Sequence, residues 1–398
     1  MELIQKVYHL IKKYWKIICL SILIGFIVLN QLFWMLACIL GIFVLRFIFL
    51  FFIKFIKNKL LSKIAKGFAF FILILVISIG MKLFVFGVFR IPSSSMENTL
   101  YPDDIILVNK LVYGPKLPNS PFEIPWINLL FFFNDNARSQ IDKEWWKHKR
   151  LSGINNIEKG DVLVFQETRA FFIVKRCVGL PGDNFKIVNG EVFANNVKYA
   201  PPIEVKENYN LIVKNKEEFY NQLDSLNIET MLYPSSEIDN AINGILSKKQ
   251  YLILQKLSSI VSIDKKQKKY LINDDLFLEK NVYNWSEKSM GEFIIPKIGL
   301  EIKLNEKTFN VYKKTLQKFE KVLLEKKENM YFLDGKNATT YTFKKDYIFV
   351  LGDNREISKD SRYIGFIPVE SIVGKVQYVL YSNYNDTFNW RRLFKGVN

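Results

Sequence analysis

The chain has 398 residues, room for two or three domains; 49% are hydrophobic, 15% are aromatic, and the formal charge is +17. So high an apolar content excludes a disordered chain, and so basic a balance implies either nucleic acid or a membrane as neighbour, to be decided by where the charge lies. With only two histidines, His9 and His148, and three cysteines, most zinc sites and nearly every histidine-based catalytic triad are excluded.

Residues 17–53 are almost wholly apolar and are broken by the polar pair Asn30-Gln31. A single membrane span needs about 20 residues, so this run predicts a helical hairpin with limbs over 14–29 and 32–53, Arg46 lying near enough to the second end to snorkel. A third apolar run, Ile64 to Met81, ends at Lys82. Lys6, Lys12, Lys13 and Lys16 precede the first limb, and Lys54, Lys57, Lys59, Lys63 and Lys66 separate the second from the third. Both basic segments are expected in the cytoplasm, so a three-span anchor over 1–82 puts the rest of the chain outside it. Residues 1–66 hold ten Lys and Arg against one acid, Glu2, a net +9 that leaves +8 for the remainder. Nucleic-acid binding thereby loses its motivation. No small-x-small cleavage site followed by a polar stretch occurs near residue 30, so the anchor is expected to be retained. Cys19 and Cys38 fall in the spans and Cys177 in an apolar strand pattern, which is not a disulfide framework.

Beyond the anchor the pattern is mainly β. Strands are predicted over 84–92, 105–109, 162–166, 171–178, 347–351 and 372–380, and Asn189-Gly190 between two alternating runs signals a tight hairpin. From 203 to 290 the composition turns to Lys, Glu, Asn, Leu and Ile with helical spacing at 217–226 and 250–262, a mixed α/β insert without visible chemistry. The β domain is therefore read as 83–202 completed by 291–398. Within it, 117–150 includes the apolar stretch Pro121 to Asn134, read either as a buried core strand or as an apron at the membrane interface. Trp145 and Trp146 beside Lys147, Lys149 and Arg150 favour the interface.

Three segments combine Gly, Pro and polar residues with strand-like runs: RIPSSSMENTLYPDD at 90–104, FFIVKRCVGLPGD at 171–183 and VLGDNREISKDSRYIGFIP at 350–368. In this order and after a membrane span, they resemble the bacterial type I signal peptidases, membrane-bound serine proteases that remove leader peptides from exported proteins. The resemblance covers the last span, the three segments and the strands between them. It implies a signal-peptidase-like antiparallel β fold, Ser95 as nucleophile and Lys175 as general base. Neither histidine falls in a motif. A lysine can act as base only if burial favours its neutral form, for which Phe172, Ile173, Val174, Cys177 and Val178 are candidate surroundings.

By the same resemblance, the Ser95 N–H and the Ser93 hydroxyl form the oxyanion hole, and Ser358 positions the lysine amine. Arg176, Asp353, Arg355, Asp360 and Arg362 support the site, with Arg176 expected to pair with Asp353. Phe89, Ile91, Met96, Leu100 and Val174 contact a substrate strand that has small residues at −1 and −3. The chain departs from the commoner pattern at Asn98, where a proline often stands, at Glu356-Ile357 and at Cys177.

The implied partners are secretory preproteins and membrane lipid, with contact to the secretion machinery and with no cofactor, metal or nucleic acid. The implied location is the cytoplasmic membrane, multi-pass, with an extracytoplasmic catalytic domain that is periplasmic where an outer membrane exists. Lys82 and Ser95 are 13 residues apart, a reach of roughly 45 Å at most, so enzyme and membrane-tethered leader share one surface and a raised effective concentration. Two other readings compete. A soluble self-cleaving repressor-type Ser/Lys protease fits poorly with three spans, and a catalytically inactive membrane-anchored assembly or binding factor would have no need of Ser95, Lys175 and Ser358 together.

Overall fold

The computed structural model describes residues 2–141, 145–168, 171–226, 228, 230–235, 239–266, 285–328, 330–383 and 388–397. The chain forms two compact units, Met1–Gly87 with Asn109–Asn156, and Val88–Val108 with Ile157–Asn398.

The first unit carries helices α1 (Glu2–Leu29), α2 (Phe33–Ile53) and α3 (Lys59–Gly80). Asn30 and Gln31 form the turn predicted between the first two, Gln31 taking a φ of 55°. Asn58 caps α3 by accepting from the Leu60 and Leu61 N–H groups. Phe33–Ile53 and Lys59–Val85 are long and apolar enough to cross a membrane, with mean hydropathies of 2.8 and 2.6, whereas the apolar part of α1 is the shorter Tyr14–Leu29. The last turn of the third helix, Met81–Val85, widens to a π-helical turn. Its carbonyls at Lys82 and Leu83 accept from Lys110 Nζ at 2.8 and 3.3 Å, satisfying acceptors that a helix end leaves open. Burial, reinforced by Lys82, pushes the Lys110 amine down to about 8.

Ser152 binds the other side of this end: its carbonyl accepts from Trp34 Nε1 and its hydroxyl donates to the Gln31 carbonyl. Segment 109–156 is thus tied both to the α1–α2 turn and to the end of α3. Its apolar stretch forms a short helix, α4 (Ile127–Phe132), rather than a buried strand. Phe131 turns inward against Phe122 and Trp145, while Leu130 and Phe133 are 74% and 83% exposed.

In chain order the main strands of the second unit begin with β1 (Phe86–Arg90), β2 (Ile105–Asn109), β3 (Val162–Gln166) and β4 (Phe172–Gly179). The hairpin follows as β5 (Asn184–Val188) and β6 (Glu191–Ala194). The insert contributes β7 (Lys206–Val213), β8 (Met231–Pro234), β9 (Ala241–Ser247) and β10 (Ile260–Lys265). The chain closes with β11 (Met290–Ile294), β12 (Tyr347–Leu351) and β13 (Ile372–Tyr381). The principal sheet has the order β1-β2-β13-β3-β4-β12 and continues into Ile367–Pro368. Antiparallel register sets Leu163 opposite Lys175, and sets Val162 and Leu351 on either side of Arg176.

One face of this sheet packs Ile106, Val108, Val162, Val164, Val376 and Val379. A second core, rich in aromatics, gathers Phe185, Phe293, Phe343, Phe349 and Phe366. The β5–β6 hairpin turns on Asn189 and Gly190, with φ of 52° and 81°, the positive values that a type I′ turn requires.

The insert has a core of its own. Its sheet, ordered β10-β7-β9-β8, carries helices α5 (Lys216–Ser225) and α6 (Lys248–Leu254). Phe219, Leu223 and Leu254 from these helices pack on Leu211, Ile242 and Leu246 from the strands. The expected helix over 250–262 is half right. A capping box between Ser247 and Gln250 starts α6, which stops at Leu254, and the β-branched run from Ile260 pairs with β7 instead. Residues 267–284 of the predicted insert lie outside the described residues.

Candidate active site

Ser95 sits in a single 3-10 turn, Ser94–Met96, directly after the first strand. The turn is held from below by Met96, which is buried, and is closed by Leu100 N–H donating to the Met96 carbonyl at 2.7 Å. Ser95 itself is half-buried and Ser93 exposed, their hydroxyl oxygens 3.3 Å apart.

Lys175 reaches the same point from β4, whose last five residues are buried. Its Nζ lies 2.6 Å from Ser95 Oγ. Burial pushes the amine down to about 8, against the pull of Asp360 and Asp353, which favour the charged form. The adjacent Cys177 is buried, and burial pushes its thiol up, away from the reactive thiolate.

Alternation along β4 sends the next side chain, Arg176, the other way, to Asp353 just past the end of β12. The guanidinium donates from Nε and Nη2 to the two carboxylate oxygens at 2.8 and 2.7 Å, and from Nη1 to the Gly160 carbonyl. Burial works against the Arg176 charge, but Asp353 outweighs it and holds the group above its ordinary value. Arg362 grips Asp360 in a second buried bidentate pair at 2.8 and 2.9 Å, and Asp360 in turn accepts from the Gly352 N–H. Bidentate geometry of this kind fixes orientation as well as charge.

Not every residue singled out in the sequence joins this arrangement. Arg355 is buried and makes no ion pair among the described residues; burial lowers its guanidinium against the pull of Asp353, Asp360 and Glu207, and it lines a cavity of about 330 Å³ together with Glu207 and Lys265. Ser358 is buried, and its hydroxyl lies on the Asp360 carboxylate, which it helps to keep charged, while the Lys175 amine points at Ser95. Of the five expected substrate contacts, Ile91, Met96 and Leu100 are buried in the core behind the sheet, because the turn carrying Ser95 is anchored through them. Phe89 and Val174 remain half-exposed, Phe89 with its ring 5.1 Å from that of Phe172.

Other residues come into the site without having been picked out. Gly352 admits no side chain: a Cβ there would stand 2.2 Å from Ser358 Oγ and 2.6 Å from the Ser95 carbonyl oxygen. The GDN sequence is its only signal. Thr99 donates its hydroxyl to Asp353, and Arg392, near the end of the chain, donates to Asp104 and to the Thr99 carbonyl. Nothing local marks Arg392, whose partners are nearly 300 positions away.

Known proteins of similar sequence share one name. The chain is similar to "Signal peptidase I" of Buchnera aphidicola subsp. Baizongia pistaciae, 28% identical over 328 residues, which covers 81% of this chain and 79% of the relative. It is also similar to "Signal peptidase I" of Helicobacter pylori strain 26695, at 22% over 332 residues, 79% of this chain and 86% of the relative. With the Pseudomonas aeruginosa protein of the same name, identity is 32% over 155 residues, 37% of this chain and 44% of the relative. The family described as "Signal peptidase, peptidase S26" matches residues 64–257 and 261–381, most of the chain, and this protein belongs to it.

Proposed function

We propose that this protein is a membrane-bound serine endopeptidase that removes signal peptides from exported preproteins, with Ser95 as nucleophile and Lys175 as general base. The observation that carries the reading is a serine hydroxyl 2.6 Å from a lysine amine whose burial lowers it to about 8. A neutral amine at that distance accepts the hydroxyl proton as Ser95 Oγ attacks the scissile carbonyl. The oxyanion is received by the Ser95 N–H and the Ser93 hydroxyl. Lys175, now charged, returns its proton to the leaving amine, and an acyl-enzyme remains on Ser95. Water, deprotonated by the same amine, then releases the new protein's acyl partner, the cleaved leader. Ser358, buried beside Asp360, is assigned the amine once Ser95 Oγ has become an ester. No step calls for a cofactor.

The substrate is assigned as an added extended strand whose residues at −1 and −3 are small, lying between the segment before Ser95 and β4, where Phe89 and Val174 keep part of their surface open. The anchor is read as three spans with the basic segments in the cytoplasm. Two facts favour this: the α1–α2 turn and the end of α3 are both bound by segment 109–156, and the lysines lie at the opposite turn.

The test is purified protein in detergent incubated with a preprotein, alongside Ser95→Ala and Lys175→Ala. Both variants are expected to lose cleavage by at least a thousandfold, the scale of removing a nucleophile or its base. Cleavage by either at the wild-type rate would sink the assignment.

A further inference from the structure

The insert is bonded to the segment of Ser95 and to the loop after β12 through the entry to β7. The Lys206 N–H donates to the Asp353 carbonyl at 2.8 Å, and its carbonyl accepts from the Arg355 N–H at 3.1 Å, so Lys206 forms a parallel β-bridge to Asn354. Asn354 N–H in turn donates to the Ser95 carbonyl at 3.0 Å. The ring closes through side chains. Glu97, two residues beyond Ser95, accepts on a single oxygen from both Lys206 Nζ and Asn354 Nδ2, each at 3.2 Å.

The Lys206 side chain is only 9% exposed. An amine so withdrawn from water is retained at a cost unless a partner compensates it, and here the partner is Glu97.

Asn98 adds a second tie. Its φ is 74°, a left-handed value that asparagine tolerates and that a proline, fixed near −65°, cannot adopt. In that conformation its Nδ2 donates to the Glu204 carbonyl at 3.0 Å. The departure from proline at this position therefore has a structural counterpart: the loop after Ser95 bends toward residues 204–206 and is bonded to them.

We infer that Lys206, with Asn98, is a positioning residue, and that the insert serves as a clamp that registers the peptide of Ser95 against Lys175. This rests on the proposed dyad. Lys206 touches neither Ser95 Oγ nor the amine; it acts through Glu97 and Asn354, which grip the Ser95 segment on both sides. A loosened clamp leaves the fold intact and lets the hydroxyl wander from the amine, a displacement that costs rate rather than substrate affinity.

The experiment is single-turnover cleavage of a preprotein by excess full-length protein in detergent, comparing wild type with Lys206→Met, Glu97→Gln, the double variant and Lys206→Arg. The amplitude of each variant's cooperative unfolding transition reports the folded fraction, and the cleavage rate constant at saturating enzyme reports positioning. Lys206→Met and Glu97→Gln are each expected to slow the rate constant roughly 10- to 100-fold at full amplitude. The double variant should be no slower than the worse single one, and Lys206→Arg should recover most of the loss. A reduced amplitude with an unchanged rate constant would reduce Lys206 to a structural role and overturn the inference, as would wild-type rates throughout. Should Lys206→Met fail to fold, Glu97→Gln decides alone.

Hydrogen exchange supplies a readout independent of cleavage. Amides at 94–100 should exchange faster in Glu97→Gln while β3 and β4 are unchanged, and equal exchange would overturn the clamp whatever the activity. An inert wild type, or an active Ser95→Ala, counts instead against the dyad.

Discussion

Lys175 sets a pH dependence whose sign follows from its burial. The folded amine titrates near 8 and the unfolded one near 10.5. With Lys175 as the proposed base, cleavage needs the neutral form, so kcat/KM should rise about tenfold per pH unit up to about 8 and level off above it; a profile flat from pH 6 to 9 would contradict the role of base. The same shift has a stability side. Between the two values the unfolded chain binds the proton more readily, so stability rises with pH across that window, and below 8 the full penalty of charging a buried amine applies, on the order of 3 kcal/mol. Lys175→Met should therefore raise the thermal midpoint at pH 7, and raise it less at pH 9.5, while abolishing cleavage. The Arg176–Asp353 pair behaves oppositely. Asp353→Asn strands a buried guanidinium, and a loss of about 3–5 kcal/mol is expected by denaturant titration, with activity falling alongside.

Among the elements, strands were the most legible. The continuous apolar runs over 162–166 and 347–351 mark β3 and β12 to the residue, because both are buried on two faces and bounded by polar turns. The 250–262 stretch shows the limit: helical spacing continues past Leu254, but the edge of β7 offers Ile260–Lys265 a ladder of hydrogen bonds, and pairing wins. Helix α4 is another such case. Its sequence suits a buried strand or an exposed apron, and the fold turns Phe131 inward while Leu130 and Phe133 face outward. Both outward residues lie in a segment tied to the ends of the apolar helices, and we expect them to enter lipid. A nitroxide at Phe133→Cys in proteoliposomes should collide with oxygen in preference to an aqueous nickel complex; the reverse preference would remove α4 from the membrane.

At the scale of the whole molecule, +9 of the +17 charge belongs to the first 66 residues and reads as topology. In intact spheroplasts, an impermeant thiol reagent should label Lys336→Cys at once and Lys57→Cys only after permeabilisation; early labelling at 57 would invert the arrangement. Composition and local order by themselves determined the apolar helices, the β-rich domain and the three motifs, whose resemblance to a known family implied a lysine as the candidate base. These are properties of short windows, where periodicity, charge and turn chemistry are set by neighbours in the chain. Only the tertiary structure decided that Ile91, Met96 and Leu100 are core, that Arg355 makes no ion pair among the described residues, that Gly352 must be bare, and that Arg392 and Lys206 reach the loop of Ser95. Those outcomes depend on burial and on contacts across a hundred residues or more, which the packing of one sheet creates and no local pattern records.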